Sequence, residues 1–236
     1  ARLREELVIP VFHDDQHGTA IVTLAALINA LKVVGKRIED VRIVLSGLGA
    51  AGSAIARLLM SAGARDIVGY GRSGALDSAH TEGMNEHRRW LAEYTNPRGA
   101  TGSLKEGLVG ADVFIGVSSG NLLEPGDLSV MAQDAIVFAM ANPTPEVDPI
   151  CAADYAAVVA TADWHLDPGH HWAPEGQEPD FGETWPVHCR AGSAGAAFHP
   201  AFAPAVPHVD EIFRKGQHAA AFSGFEGVTE GGVGLA

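Results

Sequence analysis

Asp163, His165 and His171 stand in a D-x-H-x5-H spacing, and His188 follows in the same Trp- and His-rich stretch. One carboxylate and three imidazoles form a donor set that suits Zn, Fe or Mn, although histidines near turns also serve as surface hydrogen-bonding groups. A second group is His13-Asp14-Asp15-Gln16-His17. Its two adjacent carboxylates and two imidazoles fit a divalent metal or acid–base work; alternatively Asp14 and Asp15 only favour a helix N-terminus electrostatically. The third group carries no reactive side chain. Gly47-Leu48-Gly49-Ala50-Ala51-Gly52 is a G-x-G-x-x-G motif, which either cradles a dinucleotide pyrophosphate or is a glycine-rich turn that binds nothing.

The flanking elements favour the first of those readings. Val41-Arg42-Ile43-Val44-Leu45-Ser46 reads as a strand, and an apolar pattern at helical spacing begins at Ala50 and runs to Met60. Strand, tight turn and helix therefore follow without a linker, which leaves helix N–H groups and a positive dipole end for phosphate. Ile9-Pro10-Val11-Phe12 reads as a short strand that delivers the acidic pair to a helix over residues 19–34, capped by Thr19. Further strands are expected at residues 66–70, 113–117, 135–140 and 156–161, with helices near 85–94 and 104–108. After the second strand, where dinucleotide folds usually hold an acidic residue on the ribose, the chain has Gly71-Arg72-Ser73. A cation and a hydroxyl suit a 2′-phosphate, hence NADP over NAD, unless Arg72 is only a solvated turn residue. Ser118 and Asn142 close the next two strands, with Asn142-Pro143 also reading as a turn former.

The pattern is α/β, with a Rossmann-type doubly wound parallel sheet. Of the 236 residues, 47% are hydrophobic, and the net charge of −13 argues against a nucleic-acid surface and for small-molecule work. No apolar run is expected to span a bilayer and no leader opens the chain, so a cytoplasmic protein without membrane contact is expected, with homo-oligomerisation left open. Cys151 and Cys189 make no disulfide framework. Seven of the 11 histidines lie beyond residue 160, which marks a boundary between residues 1–154 and 155–236.

Pro10-Val11-Phe12-His13-Asp14-Asp15-Gln16-His17-Gly18-Thr19-Ala20 resembles the signature of bacterial malic enzymes. The resemblance continues through the glycine loop, Thr95-Asn96-Pro97, Gly102 to Glu106, Ala111 to Ser118, and Phe138 to Glu146. It implies an NAD(P)-binding domain whose parent reaction is oxidative decarboxylation of malate to pyruvate. By that resemblance Gly47, Gly49, Ala51, Gly52 and Thr19 would hold cofactor, and Ser118 and Asn142 would face the nicotinamide. Asn142 would also orient substrate, and Asp15, supported by Asp14, would hold Mg or Mn. The family's catalytic Tyr and Lys would lie upstream of Ala1, so cofactor binding without malate oxidation is expected.

From Tyr155 the chain departs from that pattern. Asp163-Trp164-His165 to Trp172, Thr184 to Cys189, Phe213-Arg214-Lys215-Gly216 and Phe222 to Gly227 are similar to the N-terminal half of nicotinamidases. That resemblance implies an incomplete isochorismatase-like α/β segment. In it Asp163, His165, His171 and His188 match metal ligands, Trp185 matches the ring that stacks on the pyridine of nicotinamide, and Lys215 matches the lysine of the catalytic triad. Cys189 does not match the nucleophilic cysteine. A strand over residues 156–161 would suit both patterns and could join the two into one sheet.

Overall fold

The computed structural model describes residues 14–79, 81–141, 144–152, 159–180, 184–198, 200, 202–220 and 226–234. The chain divides into two compact units, Ala1–Ala152 and Ala153–Ala236. The expected strand at residues 9–12 lies outside the described residues, as do His13 and Asn142.

In chain order the first unit contains α1 (Thr19–Val34), β1 (Arg42–Ser46), α2 (Ala50–Ser61), β2 (Asp66–Gly71) and β3 (Gly74–Ala75). It continues through α3 (Glu86–Tyr94), α4 (Leu104–Gly107), β4 (Val113–Gly116), β5 (Ile136–Ala139) and α5 (Pro149–Ala152). The sheet order is β3-β2-β1-β4-β5. β2, β1, β4 and β5 are parallel, with Val44 level with Val68 and Phe114, and only the two-residue β3 runs antiparallel. Alternation across β1 sends Ile43 and Leu45 to one face and Val44 to the other, and both faces are buried. That explains why the parallel strands read as continuous apolar runs. Leu27 and Leu31 of α1, Ile55 and Leu59 of α2 and Leu91 of α3 cover the first face, while Leu108, Leu123, Leu128 and Val147 cover the second.

Two features of α1 depart from expectation. Thr19 does not cap it: Asp14–Gly18 form a π-helical turn that runs straight into the helix, so the N-cap position is Gly18 with no side-chain hydrogen bond. The Thr19 carbonyl instead accepts from Thr23 Oγ1 at 2.7 Å. The second departure is length, because the helical stretch Gln16–Val34 is long and apolar enough to cross a bilayer by those two criteria. In the fold, α1 buries Ala20, Thr23, Leu27 and Leu31 and leaves Ile21, Val22, Ile28 and Val33 exposed. Burying Leu27 and Leu31 contributes roughly 4 kcal/mol, which accounts for an apolar helix packed on a sheet.

The second unit contains β6 (Val159–Asp163) and β7 (Glu211–Lys215), paired in parallel with Ala160 level with Ile212. Among the described residues β6 pairs with β7 in a separate two-stranded sheet and does not join the five-stranded one. Most of the unit's other described residues lie in short 3₁₀ turns and loops.

Candidate functional site

The carboxyl end of β1 meets the amino end of α2 at Gly47–Gly52, and backbone geometry dictates two of the three glycines. Gly47 has φ 112°, and a Cβ there would lie 2.7 Å from the Val117 carbonyl oxygen. A Cβ on Gly52 would run into the Gly47 carbonyl oxygen, so helix and turn can close only on a hydrogen atom. Gly49 is different: the space where its Cβ would stand is open and the residue is exposed. It is the N-cap of α2, in an extended conformation, and no side chain caps the helix. The first-turn N–H groups thus face open space with the positive end of the helix dipole behind them. A backbone arrangement of this kind can receive an anion.

Beside it, β4 ends at Ser118, whose Oγ lies 2.9 Å from Ser46 Oγ at the end of β1. Glu146 is fully buried and fastens two strand ends together. Its carboxylate accepts from Ser118 N at 2.9 Å and from Ala141 N at 3.0 Å, beyond β4 and β5. Gly116 leaves the room this carboxylate occupies, since a Cβ there would lie 2.6 Å from both Glu146 oxygens.

On the other side, Gly71 and Gly74 pair across a hairpin whose tip is Arg72-Ser73, both exposed. A cleft of about 700 Å³ opens here, lined by Leu48, Ser73, Asp77, Asn85, Arg88 and Gly102 among others. Asn96, at φ 58°, pins its rim by donating from Nδ2 to the Leu76 and Ala100 carbonyls at 3.1 and 2.8 Å.

In the second unit, ring nitrogens of His165, His171 and His188 all lie within 4.8 Å of one another. His165 is fully buried, and its Nδ1 lies 2.6 Å from the Gly216 carbonyl oxygen. That carbonyl can only accept, so the proton sits on Nδ1 and the lone pair of Nε2 points away; Nε2 has no hydrogen-bond partner among the described residues. The Nδ1 of His188 likewise meets the Pro186 carbonyl at 2.7 Å, which frees its Nε2, 3.3 Å from Nε2 of His171. Burial, and then the neighbouring His165 and His188 rings, hold the His171 pKa below its ordinary value. Backbone carbonyls orienting imidazoles in this way are what a metal-binding site requires. Gly216 makes room for the His165 ring, which a Cβ would overlap.

Residues 16–162 match the sequence family described as malic enzyme, NAD binding domain. The chain belongs to this family. Over 162 residues it is 54% identical to the NAD-dependent malic enzyme of Geobacillus stearothermophilus, covering 68% of this chain and 33% of that protein. Over 154 residues it is 43% identical to the NADP-dependent malic enzyme of Halomonas elongata, covering 64% and 35%. Among solved structures it is similar to the NAD-dependent malic enzyme of Thermotoga maritima, with a TM-score of 0.64, 46% identity, and coverage of 67% of this chain and 43% of that one. The chain spans about a third of the length of these curated relatives.

Within this malic enzyme domain the structure brings Gly47, Gly49, Ala51 and Gly52 together with Ser118 around the ends of β1 and β4. Thr19 opens α1, and Asp14 and Asp15 lie in the π-helical turn before it, their side chains outside the described residues. Glu146 had no role in the sequence reading, although an acidic residue directly after Pro143-Thr144-Pro145 and before the buried Val147 was a signal for one. Beyond the family match, Asp163 is ion-paired through Oδ1 to Lys215 Nζ, beside the three histidines. Trp185 forms a parallel β-bridge with Trp172, its backbone N–H donating to the His171 carbonyl at 2.9 Å. Burial pushes the Cys189 thiol pKa up, which makes a poor thiolate.

Proposed function

We propose that residues 1–154 form the cofactor domain of a malic-enzyme-type oxidoreductase, binding NAD or NADP in the oxidative decarboxylation of malate to pyruvate. The observation that carries this is the open, uncapped N-terminus of α2 at Gly49, between two glycines that have no room for a side chain. Gly47, Gly49, Ala51 and Gly52 would bind pyrophosphate through backbone N–H groups, Thr19 would also hold cofactor, and by the family resemblance Ser118 and Asn142 would face the nicotinamide. By the family resemblance Asn142 would also orient the substrate, and Asp15, supported by Asp14, would hold Mg or Mn. When bound, the cofactor supplies the hydride acceptor and the ion supplies Lewis acidity. The chain's own contribution is to fix the strand ends: Glu146 holds the loops after β4 and β5 in register so that Ser118 keeps one position. Titration of the purified chain with each dinucleotide tests the reading. Saturable binding is expected, and no binding by a folded chain would refute it.

The buried, unpartnered Nε2 of His165 favours a second reading for residues 155–236. We propose a nicotinamidase-type metal site in which His165, His171 and His188, with Asp163, hold Zn, Fe or Mn. Trp185 would offer its ring to a pyridine and Lys215 would act beside Asp163. Metal analysis of the purified chain tests it: about one ion per chain is expected from a single such site, and none would remove the reading.

A further inference from the structure

The two-stranded sheet of the second unit has a face turned away from the Asp163–Lys215 ion pair. Asp163 stands level with Lys215 and Ala162 with Arg214, so alternation turns Asp163 and Lys215 to one side and Ala162, Ile212 and Arg214 to the other. On this second side a cavity of about 420 Å³ opens, a size in the roughly 300–1,000 Å³ range of small-molecule sites. The strands contribute Ala162 and Ile212 to its lining, and the chain between them contributes Ala197, Phe198 and Val206. Among the described residues that line it, Arg214 alone is charged. Its guanidinium carbon lies 4.3 Å from the centroid of the Trp164 ring, and its backbone is pinned by a reciprocal pair of hydrogen bonds with Val228, at 2.9 and 3.1 Å. Among the described residues the guanidinium has no carboxylate partner and no hydrogen-bond acceptor. A half-buried cation is thus held by an aromatic ring inside apolar walls, with its N–H donors unspent.

We propose that this cavity binds a small amphipathic monocarboxylate, its alkyl tail against Ala162, Ile212 and Phe198 and its carboxylate on Arg214. A planar guanidinium offers two parallel N–H donors, which match the two oxygens of a carboxylate. One cation balances one negative charge, so a monoanion enters these apolar walls without the uncompensated charge that a phosphate dianion would bring. The tail adds apolar burial, which an inorganic anion cannot match. The site needs neither the dinucleotide reading nor a metal, since it lies within the second unit on the face turned from Asp163 and Lys215.

The test titrates the purified chain with octanoate, 1-octanol and acetate, in wild type, Arg214→Gln and Ala197→Trp, with circular dichroism to check that each variant is folded. Ala197 is exposed, so an indole there can fill the cavity without displacing core residues. Wild type is expected to bind octanoate about tenfold or more tighter than 1-octanol, as a charge-assisted contact implies, and to show no saturation with acetate. Arg214→Gln should bring octanoate down to the affinity of 1-octanol and leave the alcohol unchanged, and Ala197→Trp should weaken both. Equal affinity of wild type for octanoate and 1-octanol would overturn the proposal, and that comparison needs no variant. An undiminished preference in Arg214→Gln, or octanoate binding untouched by Ala197→Trp, would do the same. Sedimentation covers the other occupant: a wild-type dimer that Ala197→Trp splits, in a chain that does not bind octanoate, would assign the face to a second copy and refute the ligand site.

Discussion

The two units reach a ligand-ready arrangement by opposite routes. In the first, the backbone shapes the candidate site: at the Gly47–Gly52 turn two Cβ atoms would have no room and a third position is left open. In the second, side chains supply it. Three imidazoles from separate segments meet, and carbonyls of Gly216 and Pro186 set the tautomers of two of them, His165 and His188. The first route tolerates almost no substitution at a few glycines and broad substitution elsewhere. The second tolerates backbone irregularity, and the described residues of the second unit are mostly turns, but any metal site there depends on its donor nitrogens.

The sharpest way to break this contrast is Gly52→Ala. The added methyl meets a backbone carbonyl that cannot move aside, so unfolding free energy should fall by about 3 kcal/mol, read by urea denaturation. A loss under 1 kcal/mol, far below the roughly 3 kcal/mol at the upper end for overpacking, would show that the turn is looser than its geometry implies. For the second unit, the His165→Ala, His171→Ala double variant should abolish stabilisation by added zinc. In wild type, zinc at about 100-fold above its Kd should stabilise by about 2.7 kcal/mol, read by thermal melting. An equal shift in both proteins would place the ion elsewhere. Glu146→Ala strips the acceptor from two N–H groups and should cost about 2 kcal/mol, with Glu146→Gln costing less because its amide oxygen still accepts one. If the variant melts like wild type, the strand ends do not depend on that carboxylate. The smallest effect is expected at Arg72, where the exposed tip leaves only a screened attraction. Arg72→Ala should shift the NADP-to-NAD affinity ratio roughly twofold.

These differences follow from what a sequence can display. Parallel strands buried on both faces write themselves as apolar runs, so β1, β2, β4 and β5 were legible to within a residue or two. α3 was legible to within a residue, expected near 85–94 and found at Glu86–Tyr94. β3 was not, since Gly74-Ala75 is too short to carry a period. The π-helical turn before α1 also hid itself, and Thr19 therefore looked like a cap. The histidine spacing announced His165, His171 and His188 as a set, but not that Asp163 would pair with Lys215. Glu146 was missed because it acts at a strand end formed by a distant part of the chain, over Gly116.

The central claim is that the bare N-terminus of α2 is the phosphate cradle of a dinucleotide site. Calorimetric titration of wild type and Gly49→Ala with NAD and NADP tests it most directly, because the open space at Gly49 predicts an unchanged melting temperature for the variant. The account predicts one-site saturation by wild type and at least about a tenfold loss in Gly49→Ala, where the methyl group keeps the pyrophosphate from the backbone. Equal affinity in the two proteins, or no heat from folded wild type with either dinucleotide, would contradict it.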